Sequence, residues 1–220
     1  MKRGVFIDIE GIDSSGKHTQ AEILKNVLEK MGKKISLYAF PAYDTTFGKL
    51  VAAHLRGEFW KLREVIPEIA CMLYAMDRYQ FKEEIKKKLE NGEVVITDRF
   101  TPSAMAYHGV MVKDSMKLVK WVKETESRMI QPDVVIFLDV TVEATQKLIE
   151  KRKGKDYLKN MPKDIYENKI EFQKKVRQMY LDIAEREKNW KIINCVDENS
   201  KIRNAEDIHN EIMKKIKQFL

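Results

Sequence analysis

The feature that most constrains this chain is the stretch Gly11, Ile12, Asp13, Ser14, Ser15, Gly16, Lys17, His18, Thr19, which follows the apolar run Val5, Phe6, Ile7, Asp8, Ile9. A helical pattern begins near Gln20, so strand, glycine loop, lysine and helix stand in that order. The spacing G-x-x-x-x-G-K builds a cradle for phosphate. Its glycines let the backbone curl, successive N–H groups point inward at the anion, and the helix N-terminus adds its positive end. Lys17 reaches the outer phosphates. The position after the lysine, where the pattern asks for Ser or Thr, holds His18.

Further along, the same alternation repeats. The pattern predicts strands over residues 4–10, 34–39, 94–97, 134–138 and 191–194, each a short apolar run bounded by turn residues. Helices are expected over 17–31, ending at Gly32 in the left-handed C′ position, over 46–56, over a long span from Pro67 to Asn91-Gly92, and from about 205 to 219. Phe47, Leu50, Val51 and Leu55 fall at helical spacing in the second helix, and Leu73, Met76, Tyr79 and Phe81 read as core in the third. Arg78, beside Asp77 in the apolar half of that helix, needs a partner or a ligand. Strands alternating with helices predict an α/β fold of three layers, a five-stranded parallel sheet flanked by helices, as one domain over residues 1–220. The loop after the second strand, Phe40 to Tyr43, lies at the carboxyl edge, where open α/β sheets bind ligands.

The 220 residues, 44% hydrophobic, suffice for one substantial core. A formal net charge of +7 suits a handler of anions but does not separate nucleotides from nucleic acids. Cys71 and Cys195 stand far apart in apolar surroundings, which favours buried, reduced thiols over a disulfide or metal site. Residues 1–4 run straight into a strand, and no apolar run approaches membrane-spanning length, so a cytoplasmic protein without leader or membrane contact is expected. Between Glu150 and Lys163 the chain is basic and interrupted by Gly154 and Pro162. This segment reads either as a solvated connection, the commoner fate of a charge run, or as a small basic lid that closes over phosphates.

Six groups of residues in order give the chain a family resemblance. Glu10 to Asp13 with Gly16, Lys17, Thr19 and Gln20 is similar to the phosphate loop of the thymidylate kinases, a P-loop NTPase-type family of nucleoside monophosphate kinases. Phe40-Pro41 with Thr45 and Gly48 to Leu50, and Ala75 to Arg78, resemble its second and third motifs. Thr97 to Phe100 with Ser103, Ala106, Tyr107 and Gly109 resembles its acceptor segment, and Pro132-Asp133, Leu138 to Val140 and Tyr166 to Asn168 with Phe172, Val176 and Tyr180 follow in order. The resemblance implies transfer of phosphoryl from ATP to dTMP with Mg²⁺. Gly11, Ser14, Ser15, Gly16, Lys17, His18 and Thr19 would bind the ATP phosphates. Asp13 would contact the acceptor sugar and Arg78 the pyrimidine, with Tyr74 and Tyr107 flanking the base and Phe40, Pro41, Ser103 and His108 completing the acceptor site. Lys17, Arg99, Asp98 and Arg152 would be catalytic, Lys153 and Lys155 standing near Arg152. Asp98, directly or through water, and Thr19 would hold the metal. A homodimer is the implied assembly, with no nucleic-acid partner.

Three residues depart from the family pattern. His18 replaces a hydroxyl, Ala42-Tyr43 follow Phe40-Pro41 where many relatives carry an arginine, and His108 stands where an amide or hydroxyl is common. Two alternatives stay open at this point: a kinase for another pyrimidine acceptor such as dUMP or a deoxynucleoside, and a nucleotide-binding paralogue whose catalysis is weakened by His18 and Ala42.

Overall fold

A computed structural model describes residues 2–59, 65–145 and 170–220. Five strands form one sheet: β1 (Phe6–Glu10), β2 (Ile35–Ala39), β3 (Val94–Asp98), β4 (Val134–Asp139) and β5 (Trp190–Asn194). Every pairing is parallel, and the order across the sheet is β2-β3-β1-β4-β5. The chain therefore reverses its direction of winding at β1, and a crevice opens where that strand ends.

Parallel strands need crossovers, and helices supply them. Between β1 and β3 these are α1 (Lys17–Lys30), α2 (Thr46–Leu55), α3 (Pro67–Tyr79) and α4 (Lys82–Glu90). Then come α5 (Thr101–Gly109), α6 (Ser115–Thr125), α7 (Ile170–Ala184) and α8 (Ala205–Ile216). Period-two alternation in the strands sorts the side chains into two faces. Ile7, Ile9, Ile96 and Ile136 pack with Leu24 and Leu28 of α1 and Ile212 of α8 on one side. Phe6 and Val95 with Ile85 and Leu89 of α4, and Phe137 with Val122, Val176 and Tyr180, fill the other. Each fully buried leucine or isoleucine contributes on the order of 2 kcal/mol. The three layers and five parallel strands match the sequence expectation.

Two expectations give way. The single long helix from Pro67 to Asn91 is two helices, parted at Gln80 and Phe81. The Gln80 side chain donates to the Asp77 carbonyl at 2.9 Å, and Phe81 packs edge-on against the Tyr38 and Phe40 rings, so tertiary contacts outrank local propensity here. Met76 and Tyr79, expected in the core, are exposed, and so is Leu50. Their helical spacing was real, but it described a second apolar face. The basic segment 150–163, with Arg152, Lys153 and Lys155, and the motif 166–168 lie outside the described residues.

Candidate active site

Gly16 caps α1 at φ 89°, a left-handed conformation open to glycine without strain. That turn folds the loop over β1 and sends Lys17 back along it, where Nζ donates to the Gly11 and Ile12 carbonyls at 3.1 and 2.8 Å. Burial lowers Lys17 to about 8, and the nearby Arg99 charge adds to the effect. An arriving phosphate needs the protonated form. Nucleotide affinity is therefore expected to fall about tenfold per pH unit above about pH 8, with uptake of one proton on binding. Calorimetry of ADP binding in buffers of different ionisation heat reads this uptake, and Lys17→Met removes it.

The carboxyl end of β3 supplies the second charge. Arg99 sits at φ 71°, unusual for a residue with a side chain, and its amide is tied to the Ile9 carbonyl of β1 at 3.0 Å. Its guanidinium donates through Nη2 to Asp13 Oδ1 at 2.7 Å and to Tyr107 OH at 3.2 Å, and through Nη1 to Ser103 Oγ at 3.1 Å. Its Cζ lies 5.0 Å from the Tyr107 ring centroid, in the range of a cation–π contact. Asp13 also accepts from Tyr107 OH and from Gln173 Nε2, each at 3.1 Å.

Beneath this network lies Glu10, fully buried at the end of β1. One oxygen accepts the Phe100 and Ser103 amides at 2.8 and 3.1 Å, and the other accepts Ser103 Oγ and Tyr180 OH at 2.7 and 2.8 Å. Four donors on one carboxylate fix the start of α5, and with it Ser103 and Arg99. Asp8 shares that face of β1 two residues earlier and accepts from Thr97 Oγ1 at 2.8 Å, and burial, followed by the Glu10 charge, pushes its carboxyl well above the usual carboxylate range.

Across the cavity from the Lys17 loop, Asp77 accepts the Ala42 amide at 3.0 Å and Gln80 Nε2 at 2.9 Å, holding the loop after β2 in place. The loop rests directly on α2, since a Cβ at Gly48 would stand 1.8 Å from the Ala42 carbonyl oxygen. Tyr74 and His108 rings meet at 5.4 Å between centroids. Burial, followed by the charges of His54 and Arg78, lowers His108 to about 3, so it is neutral at physiological pH and its ring can accept as well as donate.

These elements enclose one cavity of about 910 Å³. Apart from Gly11, whose carbonyl receives Lys17, every candidate residue within the described parts of the chain lines it: Asp13 to Thr19, Phe40, Pro41, Tyr74, Arg78, Asp98, Arg99, Ser103, Tyr107 and His108. Residues scattered over about a hundred positions of sequence thus share one space. Sequence reading missed Glu126, Gln173 and the anchoring role of Glu10. A buried carboxylate two residues beyond Asp8 at a strand end was the available signal for Glu10; Glu126 and Gln173 lie in charged helical stretches that resemble solvated surface.

A glycine loop delivering a lysine to the carboxyl edge of a 2-3-1-4-5 parallel sheet, beside a cavity with its own arginine and aromatic walls, is the construction of a P-loop nucleotide kinase. Comparison with known proteins narrows the class. The chain belongs to the thymidylate kinase family, whose model matches residues 9–212. It is 33% identical over 220 residues to a probable thymidylate kinase of Thermococcus gammatolerans, covering 98% of this chain and 97% of that one. The thymidylate kinase of Arabidopsis thaliana is 30% identical over 218 residues, covering 99% of this chain and 71% of the relative. Among solved structures, the thymidylate kinase of Candida albicans superposes with a TM-score of 0.74 at 26% identity, covering 98% of this chain and 92% of that one.

Proposed function

We propose that this enzyme transfers the terminal phosphoryl group of ATP to the phosphate of dTMP, giving dTDP and ADP. The observation that carries the reading is one shared cavity, which joins the Lys17 loop to an aromatic pocket through Arg99. Transfer between two phosphates asks for in-line placement of two anions and for cations that follow the migrating charge. Lys17 would leave the loop carbonyls for the donor phosphates, and Arg99 would bridge donor and acceptor. Asp13 would hold the sugar, and Tyr74, Tyr107, Arg78 and His108 the base, with Phe40, Pro41 and Ser103 shaping the walls. The acceptor oxygen is already ionised near neutral pH, a phosphate second pKa being about 6, so no general base is needed. Outside the described residues, Arg152 with Lys153 and Lys155 would add cations to the donor side.

Mg²⁺ fits the residues present. Among the described residues no three His, Cys, Asp or Glu side chains gather into a metal site. Mg²⁺ is a hard ion that takes oxygen donors, several of them waters and substrate phosphates. Asp98 and the Thr19 hydroxyl would contribute oxygen donors, and His18 stands beside Asp98, its Nδ1 4.0 Å from Oδ2. Bound there, the ion would supply positive charge that offsets the charge of the donor phosphates.

The test is ADP release measured across dTMP, dUMP, dCMP and thymidine. The highest kcat/KM is expected with dTMP; equal values for dTMP, dCMP and thymidine would overturn the assignment.

The family's dimeric habit has support in α3. Ile69, Met72, Met76 and Tyr79 recur at helical spacing on its outer face and are 41–58% exposed, an apolar stripe that a second copy of the chain would cover. Sedimentation is expected to find a dimer, and Met72→Glu with Met76→Glu a monomer; a monomeric parent protein removes the proposal. A cytoplasmic location accords with two free, buried cysteines. No helix among the described residues is long and apolar enough to cross a membrane.

A further inference from the structure

Arg78 lines the acceptor side of the cavity, yet its charge is answered from behind. Glu126, one residue beyond α6, accepts Arg78 Nη2 on Oε1 at 2.5 Å and Arg78 Nε on Oε2 at 3.2 Å. Thr101 Oγ1 donates to the same Oε2 at 2.7 Å. The arginine and glutamate side chains are only 3% and 4% exposed. Glu126 is itself anchored, its amide donating to the Val122 carbonyl at 2.9 Å and its carbonyl accepting the Met129 amide at 2.9 Å and Gln131 Nε2 at 3.2 Å. The Phe100 ring closes the remaining side, 5.8 Å from Arg78 Cζ.

A guanidinium carries its donors in a rigid plane. Fixing the Nε and Nη2 edge therefore fixes where Nη1 points, and among the described residues Nη1 meets no acceptor. We propose that Glu126 is a positioning residue that sets acceptor-base selectivity, clamping Arg78 by one edge so that its Nη1 donors face the base. The inference rests on the dTMP reading above and adds to it a residue that touches no substrate. Two consequences follow from the chemistry. A base edge bearing a carbonyl oxygen, as in thymine or uracil, meets a donor it can accept from, whereas the amino group of cytosine meets donor against donor. The paired carboxylate also cancels the arginine's charge at the base end, leaving the Lys17 and Arg99 end as the cationic one for phosphate.

A double-mutant cycle decides the matter: wild type, Glu126→Gln, Arg78→Met and the double variant, each assayed for kcat and KM with dTMP and dCMP and for Tm. Glu126→Gln is expected to raise KM for dTMP roughly tenfold, with a smaller change in kcat, and to lower the dTMP to dCMP ratio of kcat/KM about tenfold or more. In the Arg78→Met background the same substitution should leave that ratio unaltered. A folded Glu126→Gln enzyme with the parental ratio, or an equal effect in both backgrounds, overturns the proposal. Should Glu126→Gln fail to fold, Thr101→Val takes its place, with a smaller fall in the ratio expected and an unchanged ratio counting against us. A wild type without preference for dTMP over dCMP would sink the functional reading itself, whereas a preference that survives both substitutions sinks this inference alone.

Discussion

Arg99→Met is expected to lower kcat by about three orders of magnitude or more, the scale seen when an arginine that follows migrating phosphoryl charge is removed. The geometry explains why no neighbour would compensate. Arg99 is the residue that touches both halves of the site, reaching the Gly11 carbonyl at 3.4 Å on the donor side and Asp13 at 2.7 Å on the acceptor side. Its left-handed backbone, three side-chain partners and the Gly11 carbonyl hold the guanidinium before any substrate arrives, so little reorganisation remains to be done during transfer. Arg152→Ala is expected to cost much less, because Lys153 and Lys155 stand next to it in sequence. Single-turnover rates for the two variants check the ranking, and equal losses would refute it.

Glu10→Ala is expected to destabilise the protein by about 3–5 kcal/mol, as for other buried charged groups whose partners are left behind. For a chain of this size that lowers Tm by on the order of 10 °C. The loss strands two buried amides, a hydroxyl and the Tyr180 phenol together, and Asp8 beside it cannot replace a carboxylate that is two residues further along the strand. Glu10→Gln is the milder comparison, since its oxygen still accepts the two backbone amides and the Ser103 and Tyr180 hydroxyls can turn to accept from its nitrogen. Differential scanning calorimetry orders the variants. If Glu10→Ala melts within a degree or two of the parent, the carboxylate is not the anchor of α5.

How much of this was legible in the sequence depends on what kind of signal each residue gives. The glycine loop, the parallel strands and Arg78's need for a partner were readable because each is a local rule: spacing, an apolar run, a charge on an apolar face. The partner's identity was not, since Glu126 sits 48 positions away among Lys and Glu residues that obey the pattern of an exposed helix. The outer stripe of α3 failed for the opposite reason. Periodicity reports that a helix has an apolar face but not what covers it, and Met76 and Tyr79 face away from the sheet while Asp77 and Arg78 face inward. The break at Gln80 likewise came from rings of β2 and the loop after it, which no window on the helix contains.

The adjacency of Asp77 and Arg78 gives α3 a mechanical character. One residue grips the loop after β2 and the next grips the end of α6, from consecutive positions about 100° apart around the helix axis. Sliding or turning α3 by a single residue would release both grips at once. The helix therefore behaves as a strut between the two walls of the acceptor pocket, so that any opening of that pocket must carry α3 with one wall or leave it with the other.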